Sequence, residues 1–286
     1  MKNSRGFTLI ELMVAMVIGL LIVLVVTQAY LSGVGTQQAQ SGAARAQEAG
    51  RVASDIVGSA LRKAGYMNLT ATGAKAFCFF STTANRIDFV NDRTSIGPSA
   101  ADFSGTTATL LNSSDVLRVR YSGEGGATAD GSVRDCIGNA VGKNTRVEET
   151  FYVKADTNND GEPALFCYSS NSGTEVALVP GVESFQLLYG VDINESGAVS
   201  TYRPGTSANI PKPNLVRSVM VSFVTRTKEV AATNKTSRTM NHFGTGYAAA
   251  NVAPSGDSGS VFSAPADGRI RLLTTIRVAM RNLCPV

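Results

Sequence analysis

The sequence predicts an α+β protein, with one long N-terminal helix packed on an antiparallel, β-rich domain. Two patterns predict it. An apolar run ending at Leu31 passes into a stretch where small residues recur every three or four positions as far as Ala64. Beyond Tyr66 come short Val-, Ile- and aromatic-rich segments, separated by stretches of Gly, Ser, Thr and Asn. The chain has 286 residues, 43% of them hydrophobic, so it can bury a real core. It divides into a basic leader (1–6), an apolar helix half (7–31), an amphipathic helix half (32–66) and a β-rich remainder (67–286). That remainder, about 220 residues, suits one large domain or two small ones.

The leader Met1-Lys2-Asn3-Ser4-Arg5-Gly6 carries two cations, and the next basic residue is Arg45. Excess Lys and Arg stay on the cytoplasmic side, so the bulk of the chain is expected across the membrane. Phe7 to Leu31, about 25 residues, is enough to cross roughly 30 Å of hydrocarbon. No second span follows. A secretory signal would need a small-residue cleavage site after its apolar core, and Gln28-Ala29-Tyr30-Leu31-Ser32 offers none.

Within the apolar run there is one charge, Glu11. A carboxylate buried near the middle of a bilayer costs roughly 2.5–3.5 kcal/mol, so it calls for a partner. The cheapest partner is a cation at similar depth, the amine of Phe7 on a neighbouring copy, exposed by a cut after Gly6.

From Gly35 onward, Ala39, Ala43, Ala46, Gly50, Ala53, Val57, Ala60 and Ala64 form a helical stripe, with Gln40, Arg45, Gln47, Glu48, Arg51, Asp55 and Arg62 on the other faces. Small side chains let whatever packs there approach closely. A continuous helix would run about 58 residues and about 85 Å. Gly33, Gly35 and Gly42 are its weak points, each costing roughly 1 kcal/mol relative to Ala. Gly65 sits where a helix C′ residue belongs.

Strands are expected at 86–90, 115–121, 147–153, 185–191, 215–225 and 269–280. The last places Ile270, Leu272, Ile276, Val278 and Met280 on one face and Arg269, Arg271, Arg277 and Arg281 on the other. Polar connections are expected at 95–109, 123–132 and 233–267.

Cys78, Cys136, Cys167 and Cys284 form an even set in a chain that reaches an oxidising compartment, so two disulfides are expected. Of the three connectivities, neighbouring strand-and-turn segments favour Cys136–Cys167, leaving Cys78–Cys284 to tie the chain end back. No cysteine has metal-ligand spacing.

The leader ending in Gly6, the Phe7 that follows it and Glu11 four residues later resemble the class III signal of type IV prepilins and type II secretion pseudopilins. A closer resemblance lies in three further segments. Ala46-Gln47-Glu48-Ala49-Gly50-Arg51 with Leu61-Arg62-Lys63-Ala64-Gly65-Tyr66, the run from Leu178 to Asp192, and Thr274 to Asn282 are similar to PilW-type minor pilins. Many relatives carry Gly-Cys soon after the Ala-Gly-Tyr, whereas Met67-Asn68 follow here. The resemblance implies a pilin-like fold and cleavage of the Gly6/Phe7 bond by a prepilin peptidase. It implies N-methylation of Phe7 and an assembly role for Phe7 and Glu11. The implied function is a minor pilin in the inner membrane, acting in priming of pilus assembly and at the tip. Its implied partners are other minor pilins, the major pilin and a large tip adhesin. The alternatives are a type II secretion minor pseudopilin of the J class and a DNA-binding minor pilin for DNA uptake.

Other motifs point to chemistry that their context does not support. Gly256-Asp257-Ser258-Gly259-Ser260 copies the surroundings of a trypsin-like nucleophile, but the single histidine, His242, lies sixteen residues upstream in the same polar stretch. A serine nucleophile needs a base with an orienting carboxylate. A flexible loop and a turn or surface histidine are expected instead. Asp156, Asn158 and Asp160, followed by Gly161, match the first half of a calcium loop, but its twelfth position is Cys167. Asp192 to Gly197 is a lesser version, with Arg203 at its twelfth position. Both also read as hairpin turns. The arginines of the last strand are expected to face solvent or a neighbouring subunit. With no aromatic ladder beside them and a net charge of +4, which falls to +2 without Lys2 and Arg5, nucleic acid is not expected as a partner. No enzyme and no cofactor are expected.

Overall fold

The computed structural model describes residues 8–67, 87–93, 95–96, 108–125, 128–143, 145–206, 208–210, 213–230 and 235–282. The chain begins with α1 (Leu9–Lys63), 55 residues without a break. Gly33 and Gly35 do not interrupt it, and a side chain at either would meet nothing within 4 Å. Ala64 closes the helix, and Gly65 follows at φ +77, the left-handed C′ position its sequence predicts.

Thirteen strands are described, β1 (Ile87–Val90), β2 (Ser95–Ile96), β3 (Ala108–Thr109), β4 (Val116–Ser122), β5 (Arg146–Asp156), β6 (Glu162–Ser169), β7 (Thr174–Pro180), β8 (Val182–Val191), β9 (Thr201–Arg203), β10 (Val216–Arg226), β11 (Arg238–Asn241), β12 (Val261–Ala264) and β13 (Arg271–Ala279). They form a five-stranded sheet in the order β1-β4-β5-β6-β7, a four-stranded sheet in the order β13-β10-β8-β9, and the pairs β11-β12 and β2-β3. Every strand pairing described is antiparallel.

One continuous stretch of chain carries the first sheet into the second. β7 runs into β8 through Gly181, whose amide donates to Pro163 O at 2.7 Å and whose carbonyl accepts from Arg226 N at 2.8 Å. Its φ is +80 and a Cβ there would lie 2.8 Å from Arg226 O, so the corner requires glycine. The run from Leu178 to Asp192, similar to PilW-type minor pilins, spans this crossover.

The small-residue stripe lies on the sheets as expected. Gly42, Ala46, Gly50, Ala53, Val57, Ala60 and Leu61 are buried, and the last four share one core with Leu117, Val119, Phe151, Leu165, Phe185, Val221 and Phe223. A Cβ on Gly50 would stand 2.5 Å from Thr274 Oγ1, and Thr225 Oγ1 donates to Ala46 O at 2.8 Å. Helix and sheet are therefore in backbone-range contact, which a larger stripe would prevent.

The expected strands are present with ends shifted by a few residues, but strands also form where none was expected, among them β9 and the β2–β3 pair at the two ends of the 95–109 connection. β6 is buried on both faces and shows no alternation, which hides it from a period-two reading. β7 also forms where none was expected. The described part of the expected 233–267 connection, 235–267, contains β11, β12 and two 3-10 turns, with Val224, Met240, Phe262 and Ala264 in a separate apolar cluster. It is a packed layer, not a connection.

Candidate assembly surface

The N-terminal half of α1 stands clear of the domain. Every large apolar side chain from Leu9 to Leu31 is at least half exposed, and this is the one described helix long and apolar enough to cross a membrane. A helix apolar on all sides is built to be surrounded by something other than water. The first buried residue of the helix is Gly42.

At its head, Thr8 and Glu11 form a capping box. Thr8 N and Thr8 Oγ1 both donate to Glu11 Oε2 at 2.8 Å, and Glu11 N donates to Thr8 Oγ1 at 3.4 Å. The Thr8-x-x-Glu11 spacing is the sequence signature of such a cap, a local signal that the lone charge of Glu11 overshadows. The box turns the carboxylate back toward the chain's start, at the positive end of the helix dipole. Gly6 and Phe7 lie outside the described residues.

The lookalike motifs resolve into structural parts. Asp156 Oδ1 accepts from Asn158 N at 3.0 Å, and Asp156 O accepts from Asn159 N and Gly161 N at 3.0 and 2.9 Å, closing the β5–β6 turn. Asp160 answers to Lys228 Nζ at 3.3 Å. Cys167 is in a disulfide, so it cannot serve as a twelfth ligand. Asp192 accepts from Ser196 N at 2.9 Å, Gly197 N at 2.7 Å and Arg217 Nε at 3.1 Å. Among the described residues no group of three or more metal-ligating side chains converges.

His242 is not a surface residue as expected; it is 1% exposed. Nδ1 lies 3.0 Å from Ser222 Oγ and Nε2 3.0 Å from Ser184 Oγ, with no orienting carboxylate on either. Burial pushes its pKa down to about 3, so the imidazole is neutral. Ser258 binds Asp92 instead, and Asp257, Gly259 and Ser260 are buried, so the Gly256–Ser260 stretch is a packed corner, not a flexible loop.

Two family models match parts of the chain. The family described as N_methyl, Prokaryotic N-terminal methylation motif, matches residues 1–27. The family described as PilW, Type IV Pilus-assembly protein W, matches residues 150–282. Residues 150–282 are thus a PilW-family domain behind a prepilin methylation motif, the pattern of a type IV pilin-like minor pilin. The PilW match opens inside β5 and ends at Asn282, so it takes in the whole four-stranded sheet. The solved structure described as Type IV-like pilin TTHA1219 from Thermus thermophilus superposes with a TM-score of 0.42 at 13% identity. It covers 84% of this chain and 97% of that one, a likeness too loose to carry an argument. No curated protein matches the sequence. The pilin family is structural and non-enzymatic.

The domain grips the helix end by devices not legible in sequence. Lys63 Nζ reaches Glu149 Oε1 at 3.2 Å and Arg134 O at 2.9 Å, and Tyr121 OH donates to the same carboxylate. Cys136 and Cys167 are joined beside it, as their segments suggested. Cys78 and Cys284 lie outside the described residues.

The arginine face of the last strand needs correction. Arg271 is 8% exposed and bonds Glu183 at 2.6 and 3.1 Å and Asp267 at 2.7 and 2.8 Å. Arg269 lies 3.7 Å from Glu162. Arg226 links Glu162 on β6 to Glu183 on β8 at 2.8 and 3.2 Å, so the network ties the two sheets together. Hydrogen bonds from Arg271 hold the Asp267 carboxyl well below the usual range. A strand pattern reports side-chain direction only, and here acidic partners lie on the side the arginines face. Arg277 and Arg281 remain exposed.

Proposed function

We propose that the chain is a pilus-priming and tip-associated minor pilin, anchored in the inner membrane by residues 7–31 with its domain in the periplasm. The prepilin peptidase cuts between Gly6 and Phe7, and the Phe7 amine becomes methylated. Glu11 then meets the N-terminal ammonium of an adjacent subunit. The observation that carries this is the capped, carboxylate-bearing head on a helix whose apolar half, among the described residues, stands exposed. Within hydrocarbon an unpaired carboxylate is costly, so the pair separates in-register from out-of-register docking even where its net stabilisation is small.

Glu11→Ala tests this. Processing is expected to remain intact, read by N-terminal sequencing of the membrane-extracted chain, while incorporation into pili falls at least tenfold. Normal pili carrying the variant would remove the register role, and an uncut Met1 would remove the whole reading. Partners follow from the same reading, namely other minor pilins, the major pilin and a large tip adhesin. We also infer a Cys78–Cys284 disulfide, since Cys136 and Cys167 are joined to each other. Non-reducing peptide mapping should recover that pair, and a Cys78–Cys136 peptide would exclude it.

A further inference from the structure

Of the edges of the two large sheets, three are blunted. β1 and β9 have four and three residues. β7 ends in Pro180, and its pairing with β6 contains a register shift. β13 has none of these guards. It runs nine residues without proline, in unbroken register with β10 from Ser218↔Ala279 to Arg226↔Arg271. Long regular edges of this kind are templates for another strand.

The direction of each backbone group follows from two flanking bonds. Thr227 N donates to Ile270 O at 3.0 Å and Met280 N donates to Arg217 O at 2.8 Å. Antiparallel alternation then turns the even-numbered groups toward β10, and the N–H and C=O of Leu273, Thr275, Arg277 and Ala279 outward. All four residues are exposed, and among the described residues no partner meets these backbone groups. The Arg277 guanidinium lies 4.9 Å over the Tyr202 ring, with no carboxylate in ion-pair range among the described residues.

We propose that the free edge of β13 is a strand-addition site for an extended segment of a neighbouring membrane-anchored subunit, with an acidic side chain opposite Arg277. Main-chain hydrogen bonds supply the affinity, and the cross-strand charge pair sets register. A second copy related by a two-fold axis is the wrong occupant. Gly50 approaches Thr274, Gly58 approaches Val278, and Asn282 reaches Arg62, so α1 and β13 run side by side in one direction. Two-fold edge pairing is antiparallel and would point the two membrane helices oppositely. The neighbour's orientation rests on the membrane reading above; the open edge does not.

The test places a photo-crosslinking benzoyl-phenylalanine at Leu273 in the full chain, in cells carrying the native set of pilus subunits. The same probe at Glu195, on an exposed loop, is the control. One discrete adduct is expected from position 273 and none from 195, with an Asp- or Glu-bearing peptide of another subunit in the linked product. Arg277→Pro removes an outward N–H while sparing the β10 ladder, and should cut the adduct about tenfold. Ala279→Lys, an edge guard that leaves the backbone intact, should do the same if the proline variant fails to fold. No adduct at 273, an adduct undiminished by a folded guard variant, or linkage to a second copy of this chain would each overturn the proposal. An uncut N-terminus would instead mark failure of the minor-pilin reading, which is read separately.

Discussion

The side-chain amide of Asn282 donates to Arg62 O at 3.1 Å and Ala64 O at 3.2 Å. The last described residue thus caps a helix whose final turn lies 220 positions earlier. Helix ends leave carbonyls without intrahelical partners, and here the chain's own tail answers them. It also fixes the end of β13 alongside α1, while Met280 N, just before the cap, donates to Arg217 O on β10.

Asn282→Ala is therefore expected to cost about 1 kcal/mol and to lower the Tm of the detergent-solubilised chain by about 2–4 °C. An unchanged melt would show that water replaces the amide without loss.

The contact between Gly50 and Thr274 sets a second expectation. A Cβ at Gly50 would meet Thr274 Oγ1 at 2.5 Å and its Cβ at 3.3 Å. Gly50→Val should destabilise the domain by about 1–3 kcal/mol, the usual range for an overpacked core. Gly33→Ala, where nothing lies within 4 Å, should stabilise the helix by up to about 1 kcal/mol. Equal effects of the two in urea melts would contradict the close packing.

Three carboxylates meet where the Gly256–Ser260 corner joins the first sheet. Asp115 is fully enclosed, accepting from Leu187 N at 2.7 Å and Asp92 N at 2.9 Å. Asp92 accepts from Gly259 N at 2.8 Å, and Asp257 accepts from Tyr247 OH at 2.6 Å. Burial pushes Asp257 up to about 6, with the charge of Asp92 adding to it and the hydrogen bonds from Tyr247 and Asn91 opposing it. Burial also raises Asp115 and Asp92. A carboxyl raised on folding binds its proton more tightly in the native state. Its stabilising contribution is complete below its ordinary value and is lost as pH rises through about 6. Relative to Asp257→Asn, the native chain should lose about 2 kcal/mol of stability between pH 4 and pH 7, read from urea melts at each pH. A difference that does not change with pH would remove Asp257 from the titration.

Much of the fold was legible in sequence because its signals are local. The Ala and Gly stripe from Ala39 to Ala64 needs only helical periodicity, and Gly65 needs only a left-handed end. Strands β4, β8, β10 and β13 announce themselves by composition. β6 does not, because both of its faces are covered and the alternation is erased. The stretch holding β11 and β12 is rich in polar residues, and Met240 and Phe262 find each other only once their strands pair. His242 shows the same limit, since nothing around it in sequence says that Ser184 and Ser222 will enclose its ring.

The sequence alone determined the parts whose physics is contained in neighbouring residues. These are the charge step across Gly6 and Phe7, the lone carboxylate at Glu11, the box it forms with Thr8, and the helix long enough to carry them. Tertiary structure decided everything that depends on distant residues meeting. It turned Arg271 inward to Glu183 and Asp267, set Asn282 on the end of α1, and left β13, among the described residues, as the long edge of the large sheets without a guard. Side-chain direction is a local property of a strand, but what stands opposite it is a property of the packed whole.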